Sequence, residues 1–97
     1  MKEITTDEVK KRLNDPNINI VDVREDFEVN LGMIPGAKHI PLGELPERFH
    51  ELDQHKKHII VCRSGGRSEV ATHFLGEQGY EAYNLVGGML DWDGEIE

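Results

Sequence analysis

Strand and helix signals alternate along the whole chain, which predicts an α/β fold with a mostly parallel sheet covered on both faces. Three observations carry this. Short β-branched runs at residues 18–23 and 58–61 read as buried strands, each followed by a segment of helical character. Glycine or proline marks most of the breaks between segments, as at Pro16, Gly32, Pro35, Gly36, Pro41 and Gly79. The only cysteine of the 97 residues, Cys62, stands where an apolar run gives way to a helix. That is the carboxyl end of a strand, where open α/β sheets bind ligands.

Taken in order, Lys2, Glu3 and Ile4 form a short strand. Thr5 and Glu8 have the spacing of a capping box, and Val9 and Leu13 fall on one face of the helix it opens. Asn14, Asp15, Pro16 and Asn17 end that helix, and residues 18–23 make the next strand. Residues 25–31 read as a short helix with Gly32 just past its end. Pro35 and Gly36 turn the chain into a strand at residues 37–40, closed by Pro41. Residues 42–52 read as a broken helical stretch whose second part opens at Pro46. Residues 58–61 are a buried strand running into the cysteine loop. Residues 68–78 are the strongest helix, with Val70, Ala71, Phe74 and Leu75 inward and Gly79 as its cap. Residues 81–85 are the last strand, and Gly87 and Gly88 lead into a terminal helix around Met89–Trp92.

The length fits one domain spanning residues 1–97, which buries somewhat over about 60% of the unfolded chain's surface and needs no staples. One cysteine forms no internal disulfide, so a reducing compartment suits the chain. The opening residues lack an apolar run of signal-peptide length and no segment is long enough to span a bilayer, so the cytoplasm is the expected location. Eleven basic residues against nineteen acidic ones give a net charge of −8. This argues against nucleic acid or an anionic membrane as partner. The expected state is a monomer.

Between Cys62 and Ser68 the chain carries two positive charges and no negative one. A small anion is repelled by most of this surface and drawn to that loop. Gly65 and Gly66 let the backbone turn its N–H groups inward, and the following helix aims its positive end at the same place. Arg63 and Arg67 add full charges. All of this favours thiolate, which is the nucleophile. Core packing alone leaves the two arginines and two glycines beside Cys62 unexplained. The five histidines, at 39, 50, 55, 58 and 73, show no metal spacing, so neither a metal nor a cofactor is expected. Asp22 and Arg24 read as a structural ion pair, and Phe74 and Trp92 as core aromatics, with Trp92 also able to wall a pocket.

The chain resembles the rhodanese family in its single-domain form. Val21-Asp22-Val23-Arg24-Glu25, Gly32-Met33-Ile34-Pro35-Gly36-Ala37 and Ile40-Pro41 resemble the first family signature. Cys62-Arg63-Ser64-Gly65-Gly66-Arg67-Ser68 is similar to the active-site loop of catalytic members, and Gly87-Gly88 with Trp92 resembles the C-terminal signature. Met33 stands where the first signature usually has His, a change read as structural. The resemblance implies a rhodanese-like three-layer α/β fold, its central, mostly parallel sheet of five strands flanked by helices on both faces. It also implies a sulfurtransferase that moves a sulfane sulfur through a cysteine persulfide.

For that chemistry Cys62 attacks the outer sulfur of thiosulfate, or takes sulfur from a protein persulfide, and passes it to cyanide or a thiol, which can be a protein's. This is two-step covalent catalysis that needs no general base once the thiol is ionised. Residues Arg63, Ser64, Gly65, Gly66, Arg67 and Ser68 form the expected substrate and persulfide cradle. Arg67, at the loop-to-helix junction, is expected to face the donor more than Arg63. Ser68 either donates to the sulfur or caps the helix. The competing readings are a cysteine-dependent phosphatase or arsenate reductase and a non-catalytic binding module. Such phosphatases place five residues between Cys and Arg, and the tyrosine phosphatases place His before the Cys. Here four residues separate Cys62 from Arg67, and Val61 precedes the cysteine.

Overall fold

The most apolar runs lie at the centre of the sheet. In the computed structural model, which describes residues 2–97, five parallel strands form one sheet in the order β1-β5-β4-β2-β3. The strands are β1 (Glu3–Ile4), β2 (Ile18–Asp22), β3 (Lys38–His39), β4 (Lys57–Val61) and β5 (Glu81–Leu85). The helices are α1 (Thr6–Lys10), α2 (Asp26–Val29), α3 (Leu45–Arg48), α4 (Gly66–Glu77) and α5 (Gly88–Asp91). Short 3-10 turns at Leu42–Glu44 and Phe49–Glu51 flank α3, the broken stretch that Pro46 foretold. No helix among the described residues is long and apolar enough to cross a membrane.

Strand periodicity splits the core in two. Ile60 and Cys62 face one side with Val21, Val23, Leu45, Ala71 and Leu75, under α3 and α4. Ile59 and Val61 face the other with Ile4, Val9, Ile20, Ile34 and Trp92. Trp92 is therefore a core aromatic of the second face, its indole N–H donating to the Glu95 carbonyl at 2.9 Å. Phe74 is half-buried against the first face, edge-on to Phe49 at 5.5 Å.

Local sequence chemistry sets several boundaries. The Thr5–Glu8 capping box forms: the Glu8 N–H donates to Thr5 Oγ1 at 3.2 Å, and the Thr5 N–H donates to Glu8 Oε1 at 3.1 Å. Gly79, at φ +91°, ends α4. There the Tyr80 N–H donates to the Leu75 carbonyl and the Gly79 N–H to Gly76, a Schellman ending.

Three expectations need correction. Val70 is exposed, because the buried face of α4 follows Ser68, Ala71, Thr72 and Leu75 at helical spacing, and Val70 lies off it. The helix α4 begins at Gly66 rather than Ser68, with Gly65 as its N-cap, so Ser68 lies one turn inside and does not cap. The helix α2 is shorter than residues 25–31. Its C-cap is Asn30, and Gly32 comes one residue later than expected, at φ +130°.

Two contacts fix the site end of the sheet. Arg24 binds Asp22 through Nε and Nη2 at 2.8–3.0 Å, the structural ion pair expected, and donates onward to the Gly32 carbonyl at 2.7 Å. At the other side, the first turn of α5 docks on the cysteine loop. The Met89 N–H donates to the Cys62 carbonyl and the Leu90 N–H to the Arg63 carbonyl, both at 2.9 Å. Gly88 makes this approach possible. It has φ +57°, and a Cβ there would lie 2.4 Å from the Cys62 carbonyl oxygen and 2.6 Å from that of Arg63. Gly88→Ala is expected to destabilise the protein by about 2 kcal/mol or more. Gly43→Ala, where a Cβ meets nothing within 4 Å, should stay within about 0.5 kcal/mol of the parent. Urea unfolding of the two variants measures the difference.

Candidate active site

The end of β4 carries Cys62 to the amino end of α4, and the residue is fully buried there, with 0% of its surface exposed. The loop between them closes tightly because Gly65 takes φ +106°, which lets the chain fold back under the sulfur. The Gly65 N–H then donates to Cys62 Sγ at 3.1 Å. Ser68, buried one turn into the helix, brings its Oγ to 3.2 Å from the sulfur.

Ser68 also donates to Asn84 Oδ1 in a short hydrogen bond, while Asn84 Nδ2 donates to the Gly65 carbonyl at 3.2 Å. Asn84 on β5 thus holds both the serine and the loop glycine that touch the sulfur. A hydroxyl has one hydrogen, and here it has two acceptors. With a neutral thiol, the S–H donates to Ser68 and Ser68 to Asn84. With a thiolate, the charged sulfur is the stronger acceptor and draws the serine hydrogen to itself.

Burial pushes the Cys62 thiol up, the largest single influence, but hydrogen bonds outweigh it. The Ser68 hydroxyl and the backbone N–H groups of Ser68, Gly65 and Ser64 hold it below its ordinary value. This environment favours the thiolate over the thiol.

The comparisons with known proteins agree with that geometry. The model of the Rhodanese-like domain matches residues 5–95. The chain belongs to this family. YtwF of Bacillus subtilis (strain 168), provisionally named a sulfurtransferase, is 45% identical over 98 residues, which span 100% of this chain and 95% of YtwF. The "Sulfurtransferase" of Allochromatium vinosum is 37% identical over 94 residues, spanning 95% of this chain and 88% of its own length. A rhodanese-like domain protein from Staphylococcus aureus superposes with a TM-score of 0.93 at 40% identity, covering 100% of this chain and 97% of that one. A rhodanese-related protein from Thermoplasma volcanium superposes at 0.94 with 28% identity, covering 100% and 98%. The chain is thus a rhodanese-like protein of the sulfurtransferase family, on the three-layer fold with its five-stranded parallel sheet.

The rhodanese loop brings Gly65 and Ser68 within hydrogen-bond reach of the Cys62 sulfur, with Ser64 and Gly66 exposed. Its two arginines part company. Arg63 is exposed and lines an open cleft of about 350 Å³ with Phe27, Glu28, Leu31, Met89 and Leu90. Arg67, expected to turn toward the donor, instead places its fork on Glu28. Nη1 donates to Oε1 at 2.6 Å and Nη2 to Oε2 at 2.8 Å. The Arg67 guanidinium in turn holds the Glu28 carboxyl down to about 2, so Glu28 is ionised at any physiological pH. From the C-terminal segment Met89 and Leu90 line the cleft, and Trp92 does not.

Sequence reasoning missed Glu28 and Asn84. Glu28 is one of three acids in residues 25–28 and nothing local singles it out. Asn84 did carry a signal: it follows Ala82 at strand period on the inward face of β5, in register with Ile60, and a polar residue buried there needs a partner. The histidines play no part at the sulfur. His58 is buried between Asn19 and the Asp53 carbonyl, and burial pushes its pKa down.

Removing the Ser68 hydroxyl leaves the thiolate with fewer donors, so Ser68→Ala should raise the Cys62 pKa. The ultraviolet thiolate absorbance should then titrate at higher pH, and alkylation at neutral pH should slow by on the order of tenfold, the worth of one hydrogen bond to a charged group.

Proposed function

We propose that Cys62 carries sulfur as a persulfide, taking a sulfane sulfur from thiosulfate or a protein persulfide and handing it to a thiol or to cyanide. The observation that carries this reading is the Cys62 sulfur held by the Gly65 N–H and the Ser68 hydroxyl at the mouth of α4. Those donors favour a thiolate before any substrate arrives. They also lie beside the position an added sulfur anion would occupy.

With thiosulfate as donor, the thiolate attacks the outer sulfur. The Cys62–S bond forms, the donor S–S bond breaks, and sulfite leaves with the electron pair. No proton moves, and the charge is conserved: a thiolate and a dianion give a persulfide anion and sulfite. The acceptor then attacks the outer sulfur of the persulfide and Cys62 leaves as thiolate, ready for the next cycle. The loop amides of Arg63 to Ser68 serve the persulfide anion as an anion-binding nest. Arg63 is the guanidinium available to an arriving sulfonate. Arg67 adds its field to the thiolate, its fork remaining on Glu28. Four residues between Cys62 and Arg67 make a ring suited to one sulfur and small for a phosphoryl group. A thiol of this kind works in a reducing compartment, and the cytoplasm fits.

Exposure to a sulfane donor should add one sulfur atom to the intact mass, and a thiol acceptor should remove it. Cys62→Ser should abolish the mass gain and any thiocyanate formed from cyanide, with the thermal midpoint nearly unchanged. Aryl phosphate hydrolysis should be negligible in the parent; clear turnover lost in Cys62→Ser would overturn sulfur transfer in favour of a phosphatase.

A further inference from the structure

We propose that this site draws its sulfur from a persulfide borne on an organic thiol rather than from a small sulfonate anion, and that the Glu28 carboxylate against Arg67 sets the choice. The inference rests on the persulfide reading above and names its donor class.

The charges at the mouth are the first reason. Read along the chain, the loop is doubly positive. In space, Glu28 cancels one of the two charges through both carboxylate oxygens. Arg24, the third guanidinium at this end of the sheet, is held by Asp22. Among the described residues only Arg63 has no ion-pair partner at the cleft, and α2 adds the exposed carboxylates of Glu25 and Asp26 nearby. A sulfonate already on Arg63 can recruit Arg67 as a second guanidinium only by displacing Glu28, which is held on Arg67 through both carboxylate oxygens and is ionised at physiological pH. The net −8 of the chain opposes a dianion at longer range.

The shape and lining of the cleft are the second reason. Phe27, Leu31 and Leu90 around it are 72%, 82% and 59% exposed. Large apolar side chains held open around one cleft mark a binding surface. Its 350 Å³ lies in the range of sites for organic ligands, about 300–1,000 Å³. Thiosulfate has no carbon to lay on these side chains. The body of an organic persulfide does, and it needs no guanidinium. The transfer balances without an oxidant. The Cys62 thiolate attacks the terminal sulfur of R–S–SH, a new S–S bond forms at Cys62, the donor S–S bond breaks, and R–S⁻ leaves with its electron pair while the proton stays on the transferred sulfur.

Single-turnover loading of Cys62, followed by intact mass, tests this with thiosulfate, glutathione persulfide and a persulfidated Leu-Cys-Leu peptide as donors. The parent should load at least about tenfold faster from the persulfides than from thiosulfate, and Glu28→Gln should raise the thiosulfate rate by about tenfold, the worth of one charge-assisted contact. Phe27→Ser combined with Leu31→Ser should slow loading from the persulfides; both side chains are mostly in solvent, so the fold is not at stake. Raising the salt concentration should speed parent loading from thiosulfate or leave it unchanged, since salt screens a net repulsion. A faster peptide points to a protein-borne donor and faster glutathione persulfide to a small thiol; either keeps the donor class. Parent loading from thiosulfate that equals or exceeds the persulfides, or that salt slows, overturns the proposal, as does a Glu28→Gln variant with no gain on thiosulfate. Those results leave Cys62 persulfide chemistry standing, whereas no loading from any donor removes both.

Discussion

A negative sulfur inside a protein must find its counter-dipoles in the fold, because water does not reach it. At Cys62 they include the Gly65 amide in the loop and the Ser68 hydroxyl in α4, and Asn84 on β5 steadies this arrangement by accepting from the hydroxyl and donating to the Gly65 carbonyl. The parallel sheet makes this meeting possible. Strands β4 and β5 run side by side, so the end of one presents Asn84 to the loop that leaves the other. The left-handed Gly65 then lets the chain turn under the sulfur and enter α4 within a few residues. Gly88 lets α5 approach the loop, so that the Met89 and Leu90 amides donate to the Cys62 and Arg63 carbonyls, which would otherwise be left unsatisfied.

Ion pairs tie the helix α2 to the same end of the sheet. Asp22 and Arg24 are almost wholly buried, and breaking such a pair from one side typically costs about 3–5 kcal/mol. Arg24 reaches on to the Gly32 carbonyl and so fixes the turn that follows α2. Glu28 and Arg67 join the other face of α2 to the start of α4. The end of β2, the helix α2 and the cysteine loop are therefore one electrostatic unit in space, though the loop lies far from the other two in sequence. Its effect is to lower the positive charge of the loop while keeping Arg67 in a fixed direction beside Cys62.

Features decided by local chemistry were readable from the residues. The Thr5–Glu8 box, the strand at residues 81–85 and the Gly79 ending depend on spacings of a few residues. The place of Cys62 between a strand and a helix was readable for the same reason, since an apolar run and a glycine turn flank it in the chain itself. What depends on distant partners was not. Arg67 reads as a free cation until α2 brings Glu28 across 39 positions of sequence. Ser68 reads equally as a cap or a donor until Gly65 takes the N-cap place. Val70 reads as core because it is β-branched and near Ala71, yet the helix face is set by where α4 lies on the sheet.

The complete burial of Cys62 has a consequence for its survival. Peroxide turns an open thiolate into a sulfenic acid, and a neighbouring thiol ordinarily resolves that product before it advances to irreversible oxides. These 97 residues hold no second thiol. Burial protects the resting sulfur only while the path by which a donor reaches it is closed. Once a sulfur has been added, the outer atom is the one nearest the opening, and it is the atom that turnover replaces. Oxidative damage would then fall first on the cargo and spare the residue that carries it.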